Sequence, residues 1–294
     1  MIKKGLDKLG ILILYLISLL PFWFLYILSD ISFVIIYHLV HYRRDVVQQN
    51  LRNAFPEKSE KERQDIERKY YRYLSDLMVE TIKMITVSEK QMRKRVVATN
   101  SDLVFEYFEK GKSIIAVAGH YCNWEMAALN FNFVTDKRFM IVYKPLTNKT
   151  FNDFFIEIRS RFGGQPIAMK QTLRKMIEYR KELTVSVLVG DQTPVMSEVN
   201  YFTNFLNQPT AVFLGIEKIA KTIDAAVVFY DMRRVKRGYY EYTLIPLTET
   251  PKQTAEYEIT VMHVQYLEKV IRREPQYWLW SHRRWKFKPE DLHR

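Results

Sequence analysis

An uncharged, apolar run near the start of the chain limits its possible folds more than any other feature. Residues 9–29 contain no Asp, Glu, Lys or Arg, and a helix of this length can cross a hydrocarbon core of ~30 Å. Pro21 interrupts the run, Asp30 ends it, and a second uncharged run covers residues 31–42. Basic residues lie before the first run (Lys3, Lys4 and Lys8) and after the second (Arg43 and Arg44), which suggests that both ends of the segment stay on the cytoplasmic side. We therefore expect residues 1–42 to form a membrane anchor, as a spanning helix, a hairpin or an in-plane helix, with a buried core helix as the soluble alternative.

The charge balance indicates an anionic partner. The 294 residues include 45 Lys and Arg against 33 Asp and Glu, which gives a formal net charge of +12. A charge of this size favours contact with nucleic acid, anionic lipid headgroups or an acidic protein. Cys122 is the one cysteine, which excludes a disulfide framework within the chain and a cysteine-based zinc site. There is no Walker loop and no G-x-G-x-x-G motif, and the other histidines lack metal-ligand spacing with His120.

After the anchor, short runs rich in β-branched residues alternate with amphipathic segments. Buried strands are predicted at residues 113–118, 139–143, 184–189 and 226–230, and an alternating edge strand at 240–245. Helices are predicted at residues 124–133, 150–162, 170–181, 210–222 and 254–273, and an earlier helix begins at a capping box formed by Ser59 and Glu62. This alternation predicts an α/β fold with a mostly parallel central sheet flanked by helices. We expect residues 43–294 to form one domain behind the anchor.

Three of the predicted strands end in polar or glycine-containing segments. These are Gly119–Glu125, Lys144–Pro145 and Gly190–Gln192. Because sites in open α/β sheets lie at the carboxyl ends of the strands, we expect the three segments to converge on one edge of the sheet. Cys122 lies in the first of them, where a packed and inert thiol is favoured over a nucleophile because the segment offers no separate base for it.

His120 and Glu125 carry the clearest chemistry in these segments. His120 directly follows a strand, and Glu125 falls in the first turn of the next helix. A carboxylate there can accept a hydrogen bond from one imidazole nitrogen, which leaves the other nitrogen as a base near neutral pH. The arrangement follows a catalytic triad in which the substrate hydroxyl replaces the serine. The H-x4-E spacing by itself also suits a purely structural pair.

Several motifs together resemble the bacterial lipid A biosynthesis acyltransferases, the late lauroyl and myristoyl transferases within the wider glycerolipid acyltransferase superfamily. The segment Gly119–Glu125, which reads GHYCNWE, is similar to the signature of that family. Further similar segments occur in order along the chain, at residues 50–57, 142–145, 159–163, 191–192 and 275–286. Three positions depart from the family's pattern, because Cys122 and Asn207 stand in place of glycines and Lys144 in place of an arginine.

The resemblance implies transfer of a fatty acyl chain to a hydroxyl of a lipid A precursor. His120 would take the proton from that hydroxyl, and Glu125 would orient His120. Oxyanion and substrate-binding roles are implied for the cations Lys144, Arg159 and Arg161, together with backbone amides after His120. Asn123, Asp191 and Gln192 are implied to position the acceptor or to hold the loops in place. The last two residues also suit a hydrogen-bonded pair that only braces its loop.

The resemblance also implies the partners and the location. The co-substrate would be acyl carrier protein or acyl-CoA, with no cofactor and no metal. The positive charge suits an acidic carrier protein and a phosphorylated lipid acceptor, and nucleic acid is not an expected partner. We expect the enzyme at the bacterial inner membrane, with its catalytic domain on the cytoplasmic face. The tryptophans and basic residues of segment 278–288 are expected at the membrane interface.

Two alternatives remain open on the sequence alone. The chain could acylate another lipid, such as an aminolipid, a glycerophospholipid or a glycolipid. It could also be a non-catalytic protein that binds membrane surfaces. An assay of acyl transfer with folded His120→Ala and Glu125→Ala variants separates these alternatives.

Overall fold

The computed structural model describes residues 2–293. Met1, the first residue of the predicted anchor, and Arg294, the last residue of the predicted domain, lie outside the described residues. The helices are α1 Ile2–Leu19, α2 Phe22–Val34, α3 Arg44–Ala54, α4 Glu60–Lys83, α5 Glu89–Arg95, α6 Asp102–Glu109, α7 Trp124–Phe131, α8 Lys149–Ser160, α9 Thr172–Glu178, α10 Gly215–Ile223 and α11 Glu258–Arg273. The strands are β1 Val96–Ala98, β2 Ile114–Ala118, β3 Arg138–Tyr143, β4 Gln165–Ala168, β5 Thr184–Val189, β6 Phe202–Phe205, β7 Gln208–Ala211, β8 Ala226–Lys236 and β9 Tyr239–Thr248.

Seven strands form one sheet in the order β1-β9-β8-β2-β5-β3-β4. Every neighbouring pair is parallel except β8 and β9, which form an antiparallel hairpin. The short strands β6 and β7 form a separate antiparallel hairpin. The expectation of an α/β fold with a mostly parallel sheet is therefore confirmed.

The central strand β2 is buried along its whole length because helices cover both faces of the sheet. Its alternate residues serve two cores. Ile115 and Val117 pack in a cluster with residues of α9 and α10, whereas Ala116 and Ala118 join a larger cluster that includes residues of α4, α7 and α11. The sheet thus fixes the direction in which the end of β2 enters the loop that follows.

Each strand and helix predicted after the anchor has a counterpart in the structure, but some bounds were wrong. The helix predicted at 210–222 begins only at Gly215, because residues 208–211 belong to β7, and the strand predicted at 226–230 extends to Lys236 as β8. The predicted edge position of residues 240–245 is wrong, because β9 lies between β8 and β1. The true edges are β1 and β4, which have three and four residues and were not predicted, because so short a run has no measurable periodicity. The capping box of α4 is confirmed: Ser59 Oγ accepts from the Glu62 backbone N–H, and Glu62 Oε2 accepts from the Ser59 backbone N–H.

The apolar N-terminal segment forms two helices separated at Pro21, and both pack against the rest of the chain. Helix α2 turns Phe22, Leu25 and Phe33 inward and packs along α4, whereas Trp23 on the opposite face is 65% exposed. Helix α1 contacts α4 and α8. Within residues 2–293, one helical segment, Phe22–Leu39, is long and apolar enough to cross a membrane by length and composition, with a mean hydropathy of 1.7.

Candidate active site

Adjacent parallel strands bring His120 and Asp191 together. Ala118 of β2 pairs with Val189 of β5, and the Gly190 N–H donates to the Ala118 carbonyl over 3.1 Å. His120 and Asp191 each lie two residues beyond this pair, so they meet at the carboxyl edge of the sheet. His120 Nδ1 lies 2.5 Å from Asp191 Oδ1, and the His120 backbone N–H donates to Asp191 Oδ2 over 2.9 Å.

The C-terminal segment closes over this pair. The indole Nε1–H of Trp278 donates to Asp191 Oδ2 over 2.7 Å, and the Leu279 N–H donates to the His120 carbonyl over 3.2 Å. Burial alone would raise the pKa of Asp191, but the charge of His120 and the hydrogen bonds from His120 and Trp278 lower it to about 2. Asp191 is therefore an anionic acceptor at neutral pH.

The other ring nitrogen of His120 is the available base. Its Nε2 lies 3.1 Å from the side-chain amide nitrogen of the exposed Gln192, which is a donor, so Nε2 acts as an acceptor in this contact. Asp191 accepts only, so the hydrogen on the neutral ring is on Nδ1. The edge-on ring of Trp124, with centroids 4.9 Å apart, supports the imidazole. The side chain of His120 remains 17% exposed, and the contact of Nε2 with Gln192 lies at the surface.

Glu125 binds a different partner from the one expected. Its Oε2 accepts from Arg159 Nε over 3.0 Å and its Oε1 from Arg159 Nη2 over 2.5 Å, a bidentate pair between α7 and α8. The predicted hydrogen bond from His120 to Glu125 is therefore wrong for this structure, in which Asp191 and Gln192 are the partners of the ring. The reason is topological, because strand pairing delivers Asp191 to Nδ1 while the first turn of α7 presents Glu125 to α8.

The remaining predicted residues are either exposed and unpaired or engaged in structural contacts. Lys144 directly follows β3 and is exposed, and its ammonium has no hydrogen-bond or ion-pair partner among the described side chains of residues 5–291. Arg161 instead donates to the backbone carbonyls of Met84 and Val87, so it braces the connection between α4 and α5. Asn123 is fully buried, and its side chain caps α7 by accepting from the Met126 N–H over 3.0 Å.

The convergence of the three strand ends is confirmed, because β2, β5 and β3 are neighbours in the sheet. Gly119 allows the close approach of this loop to α11, since a Cβ there would lie 2.6 Å from Leu267 Cδ1. Cys122 is buried, and burial raises its pKa well above the usual range, which fits the inert thiol that was favoured. Within the described residues, no group of three or more His, Cys, Asp or Glu side chains could hold a metal ion.

The expectation that segment 278–288 lies at a membrane interface is wrong for Trp278, Trp280 and Arg284. Trp278 and Trp280 are 2% and 0% exposed, and the guanidinium of Arg284 is buried with them. Both indole N–H groups are satisfied inside the protein, that of Trp280 by the Pro275 carbonyl over 2.6 Å. These tryptophans are core residues, and Trp278 packs against the loop formed by Gly119–Glu125 through a bridge to Tyr121.

Two residues near the site were missed by the sequence reasoning. Trp278 was noted only as part of an aromatic and basic segment, although its indole fixes Asp191. Glu80 of α4 was not singled out, yet its carboxylate accepts from Asn123 Nδ2 over 2.7 Å. A signal for Glu80 was present, because its place among the core-facing positions of α4 is unusual for a carboxylate.

Comparisons with known proteins identify the family of this chain. The model of a family described as bacterial lipid A biosynthesis acyltransferase matches residues 1–287. A lipid A biosynthesis acyltransferase of Haemophilus influenzae is 24% identical over 92% of this chain and 85% of its own length. The lauroyltransferase of lipid A biosynthesis from Escherichia coli is 24% identical over 99% of this chain and 94% of its own, and the palmitoleoyltransferase of the same bacterium is 22% identical over 84% and 80%. With the family model covering nearly the whole sequence, the chain belongs to the bacterial lipid A biosynthesis acyltransferases and is an acyltransferase.

Proposed function

We propose that this enzyme transfers a fatty acyl chain from a thioester, acyl carrier protein or acyl-CoA, to a hydroxyl of a lipid A precursor. The observation that carries the proposal is the oriented imidazole of His120, with Nδ1 on Asp191 and Nε2 in contact with Gln192 at the surface. The family supports the class of reaction, and the relatives named for lipid A biosynthesis in Escherichia coli and Haemophilus influenzae support this acceptor.

The reaction follows from the position of Nε2. It takes the proton of the acceptor hydroxyl as the oxygen bonds to the thioester carbonyl carbon, and the carbonyl oxygen becomes an oxyanion. The anionic Asp191 stabilises the imidazolium that forms. When the intermediate collapses, the C–S bond breaks and the imidazolium returns its proton to the leaving thiolate, giving an ester and a free thiol.

Arg159 offers a further donor beside its bond to Glu125. Glu125 uses Nε and Nη2 of the guanidinium, and Nη1 has no hydrogen-bond partner among the described side chains of residues 5–291. We assign Arg159 Nη1 and the unpaired Lys144 to the oxyanion or to an acceptor phosphate, both of which need cationic donors. In this proposal Glu125 assists His120 indirectly, by positioning Arg159. Asn123 holds the loop, and Gln192 holds the imidazole ring of His120.

The N-terminal helices support a location at a membrane. Residues 1–42 serve as the anchor and residues 43–294 as the catalytic domain, on the cytoplasmic face of the inner membrane. The exposed faces of α1 and α2 carry large apolar side chains, among them Leu12, Leu16, Trp23, Ile27 and Ile31. Large apolar side chains exposed on both helices suit a lipid environment.

A direct transfer assay tests the proposal. Purified enzyme is incubated with a lipid A precursor and either acyl carrier protein thioester or acyl-CoA, and the product is identified by mass spectrometry. The expected result is one added acyl chain with the wild type and none with folded His120→Ala. Transfer to an aminolipid or glycerophospholipid alone would replace the proposed acceptor, and full activity of His120→Ala would overturn the mechanism.

A further inference from the structure

A buried carboxylate joins the catalytic loop to the N-terminal helices. Glu80 lies on α4 and is 0% exposed. Three donors from three separate segments reach it: Asn123 Nδ2 and the Tyr240 hydroxyl, each over 2.7 Å, and the Tyr26 hydroxyl over 3.0 Å. A buried carboxylate is costly unless its acceptor sites are filled, so this set of donors fixes the three segments relative to α4.

The Asn123 end of this network lies inside the catalytic loop. Asn123 gives its amide N–H to Glu80 and uses its carbonyl oxygen to cap α7, so both ends of the side chain are held. The residue before it, Cys122, has a φ of 49°, a left-handed conformation that an L-residue adopts only under constraint. His120 lies three residues before Asn123, and Glu125 lies two residues after it. The contact between Glu80 and Asn123 therefore affects the positions of both residues.

The other end of the network lies on α2. Tyr26 reaches Glu80 from this helix, and Ser29 Oγ donates over 2.7 Å to Asp76, one turn earlier on α4. Asp76 also binds Arg234 and Arg237, so the inner face of α2 is tied to α4 by two buried acids. The opposite face of α2 is the exposed apolar one.

We propose that Glu80 is a positioning residue for acyl transfer, which holds the His120 loop and the start of α7 in place and couples them to α2. The inference rests on the proposed function, because it concerns the placement of the same base. If Asn123 is released, the loop around Cys122 can relax, and His120 and Glu125 shift relative to the substrate. A displacement of about 1 Å at reacting groups costs on the order of a hundredfold in rate.

The first test compares two buried glutamates of α4. Glu80→Gln keeps the shape but directs an amide N–H at Asn123 or at a tyrosine hydroxyl, and we expect kcat to fall by about tenfold to a hundredfold with KM within about threefold. Glu67→Gln is the matched control, since Glu67 is also buried but binds Arg44 and Gln48. Glu67→Gln should lower the melting temperature and leave kcat at the wild-type value.

An exchange of amide and carboxylate gives the second test. Asn123→Asp alone faces Glu80 with a second carboxylate and should lower kcat as much as Glu80→Gln, although aspartate still caps a helix. The E80Q/N123D double variant restores a donor on one side and an acceptor on the other, so it should recover most of kcat. Tyr26→Phe removes only the donor from α2 and should lower kcat by a few fold.

The outcomes separate this inference from the proposed function. Wild-type kcat in Asn123→Asp, or losses of kcat that follow the melting temperature equally in the Glu67 and Glu80 variants, would overturn the positioning role. If Glu80→Gln does not fold, Asn123→Asp and the double variant decide the matter by themselves. A wild-type enzyme that acylates no lipid would instead refute the proposed function.

Discussion

The His120–Asp191 pair and the Arg159–Glu125 pair lie near one edge of the sheet, yet they differ in how tightly each is held. The carboxylate of Asp191 is 3% exposed and accepts from the His120 ring, the His120 backbone and Trp278. The carboxylate of Glu125 is 17% exposed and is bound by one guanidinium, which is itself 17% exposed. Asp191 is fixed by strands and the C-terminal segment, whereas Glu125 depends on two helices.

This difference teaches which carboxylate can perform which task. An orienting acid must stay in one position while the imidazole gains and loses a proton, and Asp191 meets that condition. A substrate-binding cation must face the space that the substrate enters, and the partly exposed Arg159 meets that condition. Changing each acid in turn therefore tests whether the two pairs really have separate roles.

The largest expected effect is that of Asp191→Asn. An asparagine amide cannot accept all three hydrogen bonds and would favour the wrong tautomer of His120, so kcat should fall by about 10³- to 10⁴-fold with KM little changed. Steady-state kinetics of the purified variant measure this effect. Asp224→Asn is the control, because Asp224 binds Lys112 at the opposite end of the strands and has a left-handed φ that asparagine tolerates. Wild-type kcat in Asp191→Asn would mean that the carboxylate does not orient the base.

Glu125→Gln should have a smaller effect of a different kind. Its amide oxygen can accept only one of the two bonds from Arg159, so the guanidinium is no longer held in one position and we expect kcat/KM to fall by about tenfold to a hundredfold. The loss should be largest for acceptors that carry phosphate, which a series of lipids with and without phosphate would reveal. Glu182→Gln, which alters a more exposed pair with Arg138, is the control. A loss equal to that of Asp191→Asn would show that Glu125 acts directly on His120 during the reaction, as its spacing suggested.

The misassigned partner shows what sequence patterns can and cannot specify here. Local periodicity is enough to place His120 after β2 and Asp191 after β5, because each strand is a short apolar run. The pairing of β2 with β5 is not local, and only this pairing brings residues 120 and 191 within hydrogen-bond distance. Spacing along the chain instead favours the nearer acid, Glu125, which a helical turn directs away to α8.

The C-terminal tryptophans illustrate a second limit of the sequence. A segment that mixes tryptophan with arginine and lysine has the composition of an interface, and composition contains no information about tertiary partners. The acceptors of Trp278 and Trp280 are Asp191, far away in sequence, and the Pro275 carbonyl, which is exposed only by the local turn. Burial of both indoles followed from contacts that only the folded chain reveals.

The hydrogen bonds that hold Asp191 also predict a pH dependence of the free energy of unfolding. The pKa of Asp191 is lowered to about 2 in the folded state, compared with ~4 in an unfolded chain. Its contribution is therefore complete above about pH 4 and is lost as the pH falls towards 2, with a size of about 2 kcal/mol. Chemical unfolding between about pH 5 and pH 2 should show that the wild type loses this much more free energy of unfolding than Asp191→Asn. Parallel curves for the two proteins would contradict the lowered pKa.

The smallest expected effect concerns the indole that holds Asp191. Trp278→Phe removes the Nε1–H donor but leaves the two contacts from His120, and a hydrogen bond to a charged acceptor is worth about 1.5–3 kcal/mol. Part of this hydrogen-bond energy is lost equally in the ground state and the transition state and does not change kcat. We therefore expect kcat to decrease by only about tenfold. Trp280→Phe is the matched control, since it removes an equally buried indole whose donor binds the Pro275 carbonyl. Equal losses in the two variants would show that packing of the C-terminal segment, and not the bond to Asp191, accounts for the effect.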